Sequence, residues 1–398
     1  RTGAADAPLN ELLNLETTAG PVFDGARLAA LGDVVVVTTN YRLAALGNLA
    51  SPALAAESPL GISGNYGMFD LITALWWVQQ EIYHFGGDPS RVTLFGQSAG
   101  AHNVGMLLAS PLGAGLFSRA IMQSGVMQVD SADEARDDAQ AFVEEMGIEG
   151  EADLPGALRA LPLERIVLAR TAAPRGYADF TFYPHVDGFL VDQQPLDRVF
   201  EGVHNDVPFI IGSNSEEYLH DFSDISIAQF EMLAAEMVPP HRLGELLALY
   251  PLEDYLDPAA AYAAMVTDRN LTSSVRTVAR TFSTQHSPVY RYHFRRTLST
   301  QARKAPGAYH ASDLLYLFQH MDGREFDADE DDQAVSDLLL ELWTAFARSG
   351  EPNAPGRPLW PEYDVSLDPY LILDVVPAQA DGLERERSDF WDSVKLEQ

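Results

Sequence analysis

The run Arg91-Val92-Thr93-Leu94-Phe95-Gly96-Gln97-Ser98-Ala99-Gly100-Ala101-His102 holds the residue best placed to do chemistry. Its Gly-x-Ser-x-Gly pentapeptide, Gly96 to Gly100, follows a β-branched and aromatic stretch and precedes a helix-forming one through Leu108. The pattern predicts a strand, a sharp turn and a helix, which is the context of a nucleophile elbow. A serine hydroxyl on such a turn is open to approach from several sides. Gly96 and Gly100 are read as positions where a Cβ would clash with the serine backbone and the adjoining helix. The pentapeptide alone is a weak signal, because a Gly/Ser turn capping a helix has the same spelling. The flanking strand and helix carry the reading.

A serine hydroxyl is a poor nucleophile at neutral pH. It needs a base within hydrogen-bond reach, and the base needs an orienting acid. On elbow-bearing folds the chain order is serine, acid, histidine. The acid and the histidine belong on loops at the carboxyl ends of strands. His310 fits best, in the small-residue loop Gly307-Ala308-Tyr309-His310-Ala311-Ser312-Asp313 between a strand and a helix. His293 falls inside a strand and His102 inside the elbow helix, and both are assigned structural roles. His84, His185, His204, His220, His241, His286 and His320 lack the late, post-strand loop setting. For the acid, Glu216 and Glu217 both follow the strand Phe209-Ile210-Ile211-Gly212, with Asp221 a weaker competitor. Position does not separate the two glutamates, and a solvated or helix-capping pair is the plain alternative.

Composition narrows the remaining classes. The 398 residues are 46% hydrophobic, ample for a large core, and include no cysteine. Disulfides, thiolate metal sites and a cysteine nucleophile are thereby excluded, and no redox compartment can be inferred. No apolar run approaches the length of a membrane span. A formal charge of −32 disfavours nucleic acid as a partner, since phosphate binding needs a basic face. With Lys304 and Lys395 as its lysines, the chain suggests a GC-rich or salt-adapted source whose acidic surface maintains solubility. Localisation and oligomeric state stay open. The chain opens on Arg1 with no signal-like segment, so a removed leader or a fragment is expected.

Strands are expected at Asp33 to Arg42, at Arg91 to Phe95 ahead of the turn that starts at Gly96, and at Arg119 to Gly125, Val207 to Gly212, Val289 to Phe294 and Tyr370 to Val375. The first, with its unbroken apolar run, should be buried on both faces. Helices are expected at Ala26 to Leu31, Tyr66 to Phe85, Ala99 to Leu108, Asp133 to Met146, Leu154 to Leu168, Asp313 to Phe318 and Ala334 to Arg348, with Ile225 to Tyr250 and Pro258 to Thr284 mostly helical. A polar helix closes the chain. The acidic run Asp327 to Asp332 is read as a solvated loop. Strands alternating with helices predict one α/β unit over residues 1–398, with a mostly parallel central sheet flanked by helices. Helical insertions within roughly 126–285 are expected to form a cap.

At this point the residues resemble a known family. The run Gly64-Asn65-Tyr66-Gly67-Met68-Phe69-Asp70, and then Phe85-Gly86-Gly87-Asp88-Pro89-Ser90-Arg91 leading into the elbow, looks like the type B carboxylesterases. That family includes bacterial para-nitrobenzyl esterases and animal cholinesterases. Phe23-Asp24-Gly25, Val34 to Arg42 with Leu46-Gly47, Gln123-Ser124-Gly125, Gly212 to Glu217 and Gly307 to His310 extend the resemblance over nearly the whole chain.

The resemblance implies an α/β-hydrolase fold and a triad of Ser98, Glu217 and His310. The family places its acid in an Asp-Glu-Gly turn, and alignment of Glu216-Glu217-Tyr218 with that turn selects Glu217. The Ala99 amide would serve the oxyanion hole. The substrate would be a small-molecule ester, with no metal and no cofactor. Three departures stand out. Tyr218 replaces the glycine of the acid turn. The neutral Gln97 replaces the glutamate that usually precedes the nucleophile, which would retune His310 or admit anionic substrates. The family's His-Gly-Gly-Gly oxyanion loop, upstream of the Phe23-Asp24-Gly25 match, is absent from the sequence. An N-terminally incomplete chain is the expected reason, and genuine loss of the hole the alternative. The rival to an esterase is a catalytically impaired, cholinesterase-like binding protein. A serine peptidase is a third reading, with nothing in the sequence that marks a peptide site. Trp76, Phe182, Tyr218 and Phe318 are candidates to line a gorge.

Overall fold

A computed structural model describes residues 23–169, 182–218, 222–297, 307–321 and 328–397. The expectations for residues 1–22, His220 and Asp221 lie outside the described residues. Within them, six strands form one sheet in sequential order: β1 Thr93–Gln97, β2 Arg119–Gln123, β3 Phe209–Asn214, β4 Val289–Phe294, β5 Pro369–Leu373 and β6 Ala378–Asp381. β1 to β5 run parallel, and β6 returns antiparallel to β5.

The two-residue period of the strands sends apolar side chains to both faces. Ile121, Ile210, Tyr290, Tyr292 and Leu371 join one buried cluster with α1 Ala26–Gly32, α4 Ser312–Leu317 and α5 Glu330–Ser349. Ala120, Met122, Phe209, Ile211 and Val289 join the other, covered by α2 Tyr66–Glu81, α3 Ala99–Ala109 and the helix Ser273–Ser283. A sheet covered on both faces explains why β4, whose sequence alternates, is buried at all six positions. Its Arg291 is buried because it has a partner. Asp368 accepts from Arg291 Nη1 at 2.9 Å, from Arg276 Nε at 2.7 Å and from the Tyr363 hydroxyl at 2.6 Å.

That cluster ties β4 to the chain just before β5. Asp368→Ala would leave the buried Arg291 without its carboxylate and Arg276 with Asp389 and Asp392 alone, so we expect it to cost roughly 3–5 kcal/mol. Chemical denaturation measures this, and a loss below ~1 kcal/mol would show the arginines to be satisfied otherwise.

Several elements differ from expectation. The helix expected over Leu154 to Leu168 is two, Leu154–Ala160 and Leu163–Leu168, because Pro162 cannot continue the first. Asp33 to Arg42 is not a strand and joins no β-ladder among the described residues. Val34 and Val36 pack against the core while Val35 and Val37 are exposed, so one side of the run is covered rather than two. The acidic run does not form a loop through Asp332. Asp329 caps α5, its carboxylate accepting the Asp332 N–H at 2.9 Å while the Asp332 carboxylate accepts the Asp329 N–H at 3.1 Å. The acidic first turn that follows suits the positive end of the helix dipole. β6 is an addition, a short Ala-Gln-Ala-Asp strand with weak β propensity.

The insertion helices Ile227–Met237, Leu243–Leu249 and Pro258–Thr267 share an apolar cluster with the C-terminal helix Arg385–Glu397. Polar in average composition, that last helix nevertheless buries Phe390 and Trp391 against them. No helix among the described residues is long and apolar enough to cross a membrane.

Candidate active site

The strand register brings the candidate residues to one edge. Gln97 at the end of β1 pairs with Gln123 at the end of β2, and Gln123 pairs with Gly212 of β3. β3 runs on to Asn214 beside Phe294 of β4. This is the carboxyl edge, where parallel α/β sheets open their crevice.

Ser98 sits between β1 and α3 with φ 55° and ψ −121°, a left-handed conformation that a serine adopts only when its surroundings enforce it. Its N–H donates to the Gln123 carbonyl at 2.9 Å, and its carbonyl accepts the His102 N–H at 3.0 Å. The turn is tight enough that a Cβ on Gly96 would lie 2.4 Å from the carbonyl carbon and oxygen of Gly100. Gly125 is needed for a similar reason: its Cβ would fall 2.4 Å from that of Ala101 and 3.1 Å from the Ser98 oxygen. Gly100 behaves otherwise than expected, since a Cβ there meets open space. The Ala99 N–H is the first amide of α3, one of the donors a helix start leaves unpaired within the helix. Ala99 is exposed.

On the neighbouring loops, His310 Nδ1 lies 2.7 Å from Glu217 Oε2, and the His310 N–H donates to the Glu217 carbonyl at 3.1 Å. The Glu217 carboxylate is fully buried, while the His310 ring keeps 26% of its surface open. Glu217 Oε1 accepts the Asn214 N–H at 2.7 Å. Glu216 points elsewhere. Its Oε2 accepts the Ala308 N–H at 2.7 Å and the Ser215 hydroxyl, and its own N–H donates to the Ala308 carbonyl at 3.1 Å. One glutamate thus meets the imidazole, and the other staples the loop that carries it.

Behind this pair lies a polar network that sequence reasoning missed. Asn214 Nδ2 donates to the Tyr309 carbonyl at 2.8 Å. Gln123 Nε2 donates to Asp313 Oδ2 at 2.7 Å, and Trp343 Nε1 donates to Gln123 Oε1 at 3.3 Å. Burial pushes the Asp313 carboxyl up to about 6, against the Gln123 hydrogen bond that favours its charged form. The available signal was polar residues ending otherwise apolar strands, at Gln123 and Asn214.

His102 lies on α3 near His310. Burial first, and then the His310 charge, pushes its pKa down to about 4, so it is a neutral neighbour. Tyr218, where the resemblance led us to expect glycine, sets its ring parallel to that of His310, 6.5 Å between centroids. The other gorge candidates are elsewhere. Trp76 is 53% exposed on α2, Phe182 packs on Phe142 in a separate cluster, and Phe318 is buried between Phe23 and Phe95. Among the described residues no group of three or more His, Asp or Glu side chains is placed to hold a metal ion.

Residues 14–391 match the model of the carboxylesterase family. This chain belongs to that family. It is 33% identical over 360 residues to the fumonisin B1 esterase of Sphingopyxis macrogoltabida, covering 86% of this chain and 64% of the relative. It is 32% identical over 366 residues to the para-nitrobenzyl esterase of Bacillus subtilis (strain 168), covering 89% and 72% respectively. Carboxylesterase family members thus extend beyond the length spanned here. Among solved structures, a PNB esterase superposes with a TM-score of 0.80 at 29% identity, covering 95% of this chain and 79% of the other. The α/β-hydrolase architecture expected from the sequence is therefore the one this carboxylesterase family member adopts.

Proposed function

We propose that this chain is a serine carboxylic-ester hydrolase working through an acyl-serine intermediate. The observation that carries the reading is the short, buried contact between Glu217 and His310 Nδ1, in a loop pair locked by backbone hydrogen bonds. A carboxylate at Nδ1 holds the proton there and leaves Nε2 as the base. Gln97, the residue before Ser98, approaches that Nε2 to 3.3 Å, which puts the basic edge of the ring next to the elbow.

In the first half-reaction Ser98 Oγ attacks the ester carbonyl as its proton passes to His310 Nε2. The oxyanion accepts from the Ala99 N–H. Collapse breaks the bond to the alcohol oxygen, which leaves with the proton from His310. Water then attacks the acyl-serine, again through His310, and releases the acid. The insertion helices between β2 and β4 supply the cap in this reading. Each further oxyanion donor beside Ala99 is worth about 10²–10³ in rate.

A para-nitrophenyl acyl ester tests the proposal. Its hydrolysis should show a burst of para-nitrophenolate equivalent to the enzyme, followed by a slower steady rate wherever deacylation limits. Hydrolysis no faster in the folded protein than in buffer would instead favour a binding protein on the same scaffold.

A further inference from the structure

The His310 ring is flanked by groups of different charge. The Glu217 carboxylate stands 2.7 Å from Nδ1, and the side-chain nitrogen of Gln97 stands 3.3 Å from Nε2. Gln97 ends β1 at 8% exposure, so its side chain is held in the protein rather than in solvent, and its Oε1 is buried with no hydrogen-bond partner. With the ring proton kept at Nδ1 by Glu217, Nε2 presents a lone pair, and an amide N–H aimed at it donates. Such a bond exists with the neutral ring and is lost in the cation, so it lowers the affinity of the ring for a second proton. A carboxylate in the same place would raise it.

We propose that Gln97 is a positioning residue that keeps His310 Nε2 oriented and unprotonated, opposing the buried carboxylates on the other side of the ring. Those carboxylates are Glu217 and, on α4, Asp313, which senses the His310 charge. α3 contributes His102, itself neutral, and the acid turn contributes the Tyr218 ring. Gln97 is thus a neighbour at Nε2 whose charge can be changed with little change in shape. Its benefit to turnover rests on the acyl-serine reading: the amide gives up the Nε2 lone pair as the Ser98 proton arrives, and a base that stays unprotonated at lower pH extends activity toward acid.

The test is the titration of His310, followed by NMR of ¹³C-histidine-labelled protein and assigned by the resonance lost in His310→Ala. Two variants of similar volume are compared with the wild type, Gln97→Met and Gln97→Glu. The midpoint should rise in the order Gln, Met, Glu, with Gln97→Glu about one pH unit or more above the wild type. The acid limb of kcat/KM should move in the same order. Midpoints unchanged in both variants would overturn the inference, as would a Gln97→Met midpoint below the wild type, which would mean that the amide carbonyl faces Nε2. If one variant fails to fold, the other is still decisive: no rise in it overturns the proposal. A purely structural role would lower the melting temperature without ordering the midpoints. The titration needs no turnover, so it can fail while the acyl-serine reading stands, and it can succeed if that reading fails.

Discussion

Ser98→Ala is expected to lower kcat/KM for a para-nitrophenyl acyl ester by about 10⁴-fold or more, a loss of about 5.4 kcal/mol in transition-state stabilisation. The elbow explains why the effect should be so large and so local. The chain accepts a positive φ at Ser98, and it reserves Gly96 and Gly125 for backbone contacts that no side chain could share. Alanine tolerates that backbone about as well as serine does. The variant should therefore keep its melting temperature and lose only the hydroxyl. Other serines nearby offer no substitute: Ser124 also has a positive φ, but its hydroxyl is buried. Turnover within tenfold of the wild type would remove Ser98 from the chemistry.

The second large effect separates two adjacent glutamates. Glu217→Gln should cost about 10³–10⁴ in kcat, because an amide N–H facing Nδ1 drives the ring proton to Nε2, the atom that must act as base. Glu216→Gln keeps an oxygen able to accept the Ala308 N–H, so it should cost less than about tenfold and show mainly as a modest change in melting temperature. Equal losses in the two variants, or the reverse order, would show that the acid has been misassigned. The structure favours the contrast because the two carboxylates diverge from one turn, one fully buried against the ring and the other bonded to backbone.

Much of the candidate site is legible in the sequence. Ser98 and His310 were marked by turn chemistry and loop placement, since glycine at tight approaches and a histidine after a strand have direct physical causes. The choice between Glu216 and Glu217 was not legible from position, because adjacent residues on a turn differ only in the direction their side chains take. Gln123, Asn214 and Asp313 were overlooked for another reason. Each makes sense only through partners far away in sequence, and no local period announces such pairs. The same limit explains the error at Asp33 to Arg42, where a run of valines has the composition of a buried strand. Burial on two faces depends on neighbours that composition does not specify. At Asp327 to Asp332 the charge pattern was read as solvation, whereas Asp329 and Asp332 cap a helix. β4 is legible to the residue from its alternation, and β2 to within two residues from an apolar run that ends ahead of Ser124-Gly125.

The acyl-serine account stands or falls on covalent chemistry at one oxygen. Folded wild-type protein treated with a fluorophosphonate, digested and analysed by mass spectrometry should carry a single adduct, on Ser98. The adduct should be absent from Ser98→Ala and formed far more slowly in His310→Ala. An unlabelled wild-type chain that is shown to be folded, or an adduct on any other residue, would contradict it.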